Sequence, residues 1–555
     1  MPLPRLVRAA LALPVAAGLA CGGSTPAPAA PVPVIAPPRP ADPAAAGAPA
    51  ARNTLPPVPD VDGPLAVKVV YPTPNQQLTS RDSNFIFGSV GSGKASLTIN
   101  GVPARVYPNG AFMAYMANPP ASLPRYDLVA VRGADTARAV QNIRYPAVAT
   151  RSIIDPTPRK PDALPKTHAD TIAALNARID SLRSAHEPIG LVQLGTPVAA
   201  DTDGYVIGKP IAGGTYKWFF TPGTVVPLMA RTGGSARIRL DTGLDVFVDS
   251  ADVHDVTAVQ RPRVASNARV RGTAYGEDVI IPIGARAPYF VEEHDRAIVV
   301  TLYGVRGNTD IINYASSDSL IRTIEWMQVN DERARVTVNL RSAPYGYLVL
   351  QENGNFILRL RGRPAIDASR PLAGLTIAVD PGHPPIGSTG PTGLYEPQAT
   401  LPVGVRLKRI LEERGATVVM TRTTDAAVAL GDRPIIARKA NVNAFVSIHY
   451  NAYPDGVNPF LHPGTGTYFF RTHSEPLARE VQRMLVPQLG LEDLGINYDN
   501  LAVVRGTWYP AVLCEGAFIM LPDQEAAMRN PEFQERYALG IANGLESYFR
   551  ALPAR

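Results

Sequence analysis

Hydrophobic and polar positions change rhythm several times along this 555-residue chain, and each change marks a boundary. From about residue 67 to 148, short runs such as Asn84-Phe-Ile-Phe87, Ser96-Leu-Thr-Ile99 and Tyr126-Asp-Leu-Val-Ala-Val131 read as half-buried strands. Asn100-Gly101 and Asn109-Gly110 between them suit the positive φ angles of tight hairpins, so the stretch predicts a small β-sandwich. Ile172, Leu175, Ile179 and Leu182 recur on one stripe, predicting an amphipathic helix at 166–184 within a linker spanning 149–187. Strand-rich patterns resume at 188–260, predicting a small barrel-like domain, and at 262–363, predicting a further β domain. Past Leu375, strand and helix patterns alternate. Strands are predicted at Thr376–Asp380, Thr417–Thr421, Ala444–Ile448, Thr467–Phe470 and Ala511–Cys514. Helices are predicted at Leu401–Arg414, Glu475–Leu489 and about Glu532–Arg550. That alternation predicts a C-terminal α/β domain, a mostly parallel sheet flanked by helices, over 372–553.

Composition changes the picture mainly at the N-terminus. The 55 prolines are about twice the usual share, and residues 22–66 are dominated by Ala and Pro. Such a stretch buries too little apolar surface to fold and predicts a disordered, extended tether. Before it, Arg5 and Arg8 precede an apolar run from Ala9 to Ala20 that is too short to span a bilayer and fits a secretory leader. Gly18-Leu19-Ala20-Cys21 resembles a bacterial lipobox, with Gly18 where Leu is preferred. The expectation is export to the periplasm or cell envelope, with a membrane tether if Cys21 carries lipid and secretion if it does not. Cys514 is the other cysteine and lies in an apolar run, where a buried inert thiol is expected. With 54 basic against 48 acidic residues the net charge is +6, without a dense Lys/Arg run, which excludes nucleic acid as an expected partner. Gly88-Ser-Val-Gly-Ser-Gly-Lys94-Ala95 falls short of a phosphate-binding loop, because Ala95 lacks the hydroxyl for magnesium and no helix pattern follows.

Candidate chemistry sits just beyond three apolar runs. Leu375-Thr-Ile-Ala-Val379 leads into Asp380-Pro-Gly-His383, Ala444–Ile448 into His449-Tyr-Asn451, and Pro510-Ala-Val-Leu-Cys514 into Glu515. Glu396 lies between the first two. Ligands bind at the carboxyl ends of strands in open α/β sheets, so residues distant in sequence converge there. Two imidazoles and two carboxylates are the composition of a His2Glu zinc site with a separate general base. Singly, each has a blander reading: a strand-end histidine is usually a surface or capping residue, and Glu396 an ordinary loop acid. The joint pattern reverses those readings.

The region from about 372 to 551 resembles the zinc-dependent N-acetylmuramoyl-L-alanine amidases of the AmiA/AmiC type. The resemblance is carried by Ala378-Val-Asp-Pro-Gly-His383, Glu396, Val418-Val-Met-Thr-Arg422, Leu430-Gly-Asp-Arg433, Ser447-Ile-His449-Tyr-Asn451-Ala452, Gly466-Thr-Tyr468 and Pro510–Phe518. It implies that His383, Glu396 and His449 bind Zn2+ and that Glu515 is the catalytic carboxylate. The implied reaction is hydrolysis of the amide between N-acetylmuramic acid and the L-alanine of the peptidoglycan stem peptide. Asn451 is then expected to orient His449 or a substrate carbonyl, Arg433 to fix the local fold or meet substrate, and Arg422 to be structural. His462 is expected in a loop and His473 on the surface at a helix entry. By its length, strand content and position, 262–363 looks like an AMIN-type wall-binding domain. Two departures stand out: Pro384-Pro385 where the family continues with glycines, and Pro397 after Glu396 where lysine is usual. The segment from Tyr453 to Gly464 is too short for the inserted helix that plugs restrained relatives, so an open site is expected, with no activator identified. Two competing readings are a catalytically silent wall-binding lipoprotein and a zinc peptidase acting within the stem peptide.

Overall fold

The computed structural model describes residues 54–146, 187–196, 204–257, 262–314 and 320–553. The leader with Cys21, most of the Ala/Pro tether and the helix expected at 166–184 lie outside them. Among the described residues no helix is long and apolar enough to cross a membrane.

Three all-β modules precede the α/β region. The first stacks a three-stranded sheet (Lys68–Tyr71, Ser83–Ser89, Ala111–Ala117) on a five-stranded sheet that includes Ser96–Ile99 and Arg125–Arg132. Its interior is formed by Leu78, Ile86, Leu97, Phe112, Tyr126 and Leu128. Asn100 and Gly101, with φ of 49° and 80°, turn the hairpin in which Ile99 opposes Val102. Two positive φ angles are what a two-residue hairpin loop needs. The Gly-rich stretch at 88–94 is a turn after a strand, where Ser92 and Lys94 bind Asp62. The second module is a five-stranded antiparallel sheet with a two-stranded ribbon, Val206–Gly208 against Trp218–Phe220. The third packs a five-stranded sheet on a four-stranded one around residues such as Val279, Ile298, Val336 and Phe356.

The C-terminal region has six strands: β1 (Thr376–Pro381), β2 (Thr417–Met420), β3 (Ala444–Asn451), β4 (Gly464–Phe469), β5 (Glu492–Tyr498) and β6 (Ala511–Phe518). They form one sheet in the order β2-β1-β3-β6-β4-β5. β2, β1, β3 and β6 pair in parallel, whereas β4 runs antiparallel to β6 and parallel to β5. The helices are α1 (Glu396–Glu413), α2 (Asp432–Lys439), α3 (Glu475–Leu489), α4 (Pro522–Arg529) and α5 (Pro531–Ala551). The inner strands β1, β3 and β6 are almost continuously buried, as expected for parallel strands covered on both faces.

One sheet face is covered by α1, α3 and α5. On α5, Phe533, Tyr537, Ile541, Leu545 and Phe549 are fully buried, and their spacing is that of one helical stripe. Each such side chain contributes about 1.5–3 kcal/mol of apolar burial. Gly544 lets α5 approach α3 closely, since a Cβ there would lie 2.5 Å from the Cα of Val481. The other face packs on Ala437 of α2 with Val503, Trp508 and Tyr509. α1 begins five residues before the predicted Leu401. Pro397 in its first turn loses no helical hydrogen bond, and Glu396 becomes the first helical residue instead of a loop acid.

Candidate active site

The site is assembled at the carboxyl ends of β1, β3 and β6. After β1 the backbone turns through Gly382 into His383, which has a left-handed φ of 59°. Glycine at 382 is a packing requirement: a Cβ would stand 2.4 Å from Cε1 of the His449 ring. Two arginines hold this turn. Arg422 donates to the carbonyls of Pro381 (2.8 Å), Gly382 (3.1 Å) and Pro397 (2.8 Å). Arg433 donates to the carbonyls of His383 (3.0 Å) and Pro384 (2.9 Å) and pairs with Asp380 at 2.7 Å. Arg433 and Asp380 are both buried, so the pair anchors the loop.

Glu396 enters from the first turn of α1 and is 2% exposed. Its Oε2 lies 3.2 Å from His383 Nε2 and its Oε1 3.3 Å from His449 Nδ1. Backbone N–H groups of Ser388 and Tyr450 donate to the same two oxygens, each at 3.1 Å. The imidazole rings stand nearly perpendicular, with centroids 4.9 Å apart. One donor atom from each of the three residues lies within 4.8 Å of the others, a grouping found once among the described residues. Burial raises the pKa of Glu396, but hydrogen bonds and charge interactions with both histidines outweigh it, holding the carboxyl below its ordinary range.

The donor set fits zinc. Ligands about 2.0–2.2 Å from a tetrahedral ion lie roughly 3.3–3.6 Å apart, near the 3.2 and 3.3 Å between Glu396 and the two histidines. The outer contacts fit as well: His449 Nε2 is 3.0 Å from Ser447 Oγ, and Ser447 donates to Asp380 Oδ2 at 2.7 Å. A metal-binding imidazole usually has its second nitrogen fixed in this way.

Glu515 lies on β6 in register with His449 on β3. Its Oε2 is buried with no hydrogen-bond partner, the kind of unsatisfied group that a catalytic role explains. Burial first, and the neighbouring Glu396 second, push its pKa well above the usual carboxylate value. A divalent cation between Glu396 and the histidines acts in the opposite sense.

The four residues picked from the sequence thus come to three adjoining strand ends. Elsewhere the expectations need revision. Of the two tasks expected of Asn451, holding His449 falls to Ser447, and Asn451 Oδ1 accepts from the Ala452 N–H at 2.8 Å. Ser447 and His449 are two apart on a strand and so share a face, the signal that could have found it. His473 is not a surface residue. Its ring is buried, with Nδ1 2.9 Å from Glu293 of the third β module. Burial there results from domain packing, which no local pattern encodes. His462 is exposed in a loop, and the buried Cys514 thiol has its pKa raised by desolvation.

Residues 377–547 match the family model described as N-acetylmuramoyl-L-alanine amidase. The chain is 31% identical to YqiI of Bacillus subtilis (strain 168), an uncharacterised protein, over 198 residues that cover 35% of this chain and 93% of that one. It is 34% identical over 186 residues to the probable cell wall amidase LytH of Staphylococcus epidermidis, covering 33% of this chain and 61% of LytH. It is 32% identical over 186 residues to the N-acetylmuramoyl-L-alanine amidase LytC of B. subtilis, covering 32% of this chain and 36% of LytC. Through this C-terminal region, the chain belongs to the N-acetylmuramoyl-L-alanine amidase family.

Proposed function

We propose that the protein is a zinc-dependent peptidoglycan hydrolase that cleaves the amide between N-acetylmuramic acid and L-alanine. The observation that carries this reading is the convergence of His383, Glu396 and His449 donor atoms within 4.8 Å of one another, beside Glu515. A zinc ion held by those three residues supplies Lewis acidity that polarises a carbonyl and acidifies water. Glu515 takes the proton of the attacking water and delivers it to the departing L-alanine nitrogen, acting first as base and then as acid. Desolvation raises its pKa, the direction that lets a carboxyl hold the proton it has taken. Ser447 and Asp380 hold the His449 ring, and Arg433 holds the His383 backbone, so the ligands are positioned in advance. A silent wall-binding protein has no use for a Glu515 whose Oε2 is buried without a partner.

The β-rich N-terminal half suits attachment to the polymer, with 262–363 as an AMIN-like wall-binding domain. Export with a lipid on Cys21 would tether the enzyme at the cell envelope. The test is incubation of the full chain with peptidoglycan and mass spectrometry of the released fragments. Intact stem peptides with a free L-alanine amine support the reading. Cleavage inside the stem peptide would point to a peptidase, and no zinc-dependent release to a silent protein.

A further inference from the structure

The segment after β3, residues 452–463, follows the strand that carries His449, and it is held by the first β module, over 300 residues away in sequence. Asp455 is the anchor. Its carboxylate accepts from the Thr79 N–H at 2.8 Å, Thr79 Oγ1 at 3.1 Å and Asn84 Nδ2 at 3.1 Å, and also from the Tyr71 hydroxyl. The next residue is fixed from the same side. The Gly456 N–H donates to Asn84 Oδ1 at 3.1 Å, and Tyr115 donates to the Gly456 carbonyl at 3.0 Å. Gly456 has a φ of 84°, and a Cβ there would come 2.8 Å from Ser80, so the backbone itself is seated on the module.

An apolar contact continues to the site. Phe85, Phe87 and Met113 of the module form one buried cluster with Phe518 and Met520, which follow Glu515 on β6 and just beyond it. Tyr453 stacks on Phe518 at 4.4 Å between centroids, and its hydroxyl donates to the His462 carbonyl at 2.6 Å, tying the two ends of the segment together. This frame carries two outward apolar side chains, Phe460 at 44% and Leu461 at 64% exposure. The segment joins the carboxyl end of β3, just past His449, to the start of β4, where Gly466 pairs with Glu515 on β6, so Phe460 and Leu461 lie on a loop that borders the candidate site.

We propose that the first β module is a working part of the active site: through Asp455 it fixes residues 452–463 as a platform on which Phe460 and Leu461 contact the muramyl-peptide substrate. Asp455 is a positioning residue, and Phe460 and Leu461 set substrate affinity. The inference rests on the amidase reading above, and wild-type turnover is the control that separates the two.

The test is steady-state kinetics of the full chain on soluble muramyl peptides, with zinc content and thermal stability measured alongside. Phe460→Ala with Leu461→Ala is expected to raise KM at least 5-fold with kcat within 2-fold and zinc retained, because these exposed groups do not support the core. Asp455→Ala is expected to raise KM similarly, and Asp455→Glu, which keeps a four-lone-pair acceptor, to recover part of it. Turnover by the wild type with unchanged KM in the Phe460/Leu461 double variant overturns the inference while leaving the amidase reading intact. So does an Asp455→Ala loss confined to thermal stability. No turnover by wild type refutes the amidase reading instead.

Discussion

Two side chains at the site have consequences that separate chemistry from folding. Desolvation raises the Glu515 carboxyl pKa well above that of an exposed glutamate, so above the unfolded pKa the folded chain holds more of this proton than the unfolded one. Stability of the metal-free protein therefore falls as pH rises above about 4.5, the region in which the unfolded carboxyl ionises. Glu515→Gln removes that dependence. It is expected to raise the melting temperature of the metal-free protein at pH 7 while lowering kcat about 10²–10⁴-fold, the usual weight of a general base. A calorimetric pH series beside kinetics checks both signs. Under the zinc reading, Ser447 would act on the metal through His449, which it contacts at 3.0 Å. Ser447→Ala leaves Nε2 of His449 and one oxygen of Asp380 without their shared partner, and zinc affinity is expected to drop about 10–100-fold. Competition with a chelator of known affinity measures it.

Among the elements, α5 shows how local pattern and tertiary packing divide the work. Its stripe from Phe533 to Phe549 was readable from periodicity, and the predicted Glu532–Arg550 differs from the observed Pro531–Ala551 by one residue at each end. Gly544 was not readable as a packing residue, because its role depends on the Val481 backbone across the helix pair. Gly544→Ala is expected to destabilise the protein by about 1–3 kcal/mol through overpacking, despite the better helix propensity of alanine, and denaturant unfolding tests it. Inner strands β1, β3 and β6 were legible as apolar runs, and Glu475–Leu489 matched α3 end to end. β5 was missed because Glu492-Asp-Leu-Gly-Ile-Asn-Tyr498 is an edge strand with polar and glycine positions and no clean alternation. α2 and α4 were missed for a similar reason: at eight residues each, they are too short to show a period. The proximity of His383, Glu396 and His449 was legible because its signal is chemical identity, two of the three lying at strand ends and Glu396 at the start of α1. His473 was misjudged because its partner, Glu293, belongs to another module.

At the scale of the whole molecule, the β modules are packed on the enzyme and contribute charges to it. Glu293 of the third module meets His473 at the entry to α3, through the ring nitrogen at 2.9 Å and the backbone N–H at 3.0 Å. Burial alone would raise the Glu293 pKa, but His473 outweighs it and the carboxyl falls to about 2. A depressed carboxyl contributes stability that is present above its unfolded pKa of about 4.5 and is lost as pH falls toward 2. Melting temperature between pH 5 and 2 is expected to fall less steeply in Glu293→Gln than in wild type, from a lower starting value. The central claim, that one zinc ion held by His383, Glu396 and His449 makes this fold an amidase, is tested most directly by titrating metal-stripped full-length protein with zinc while counting amide bonds cleaved. The account predicts no cleavage without metal, a linear rise to a plateau at one zinc per chain, and no plateau in Glu396→Ala. Full activity in the stripped protein, or in Glu396→Ala, would contradict it.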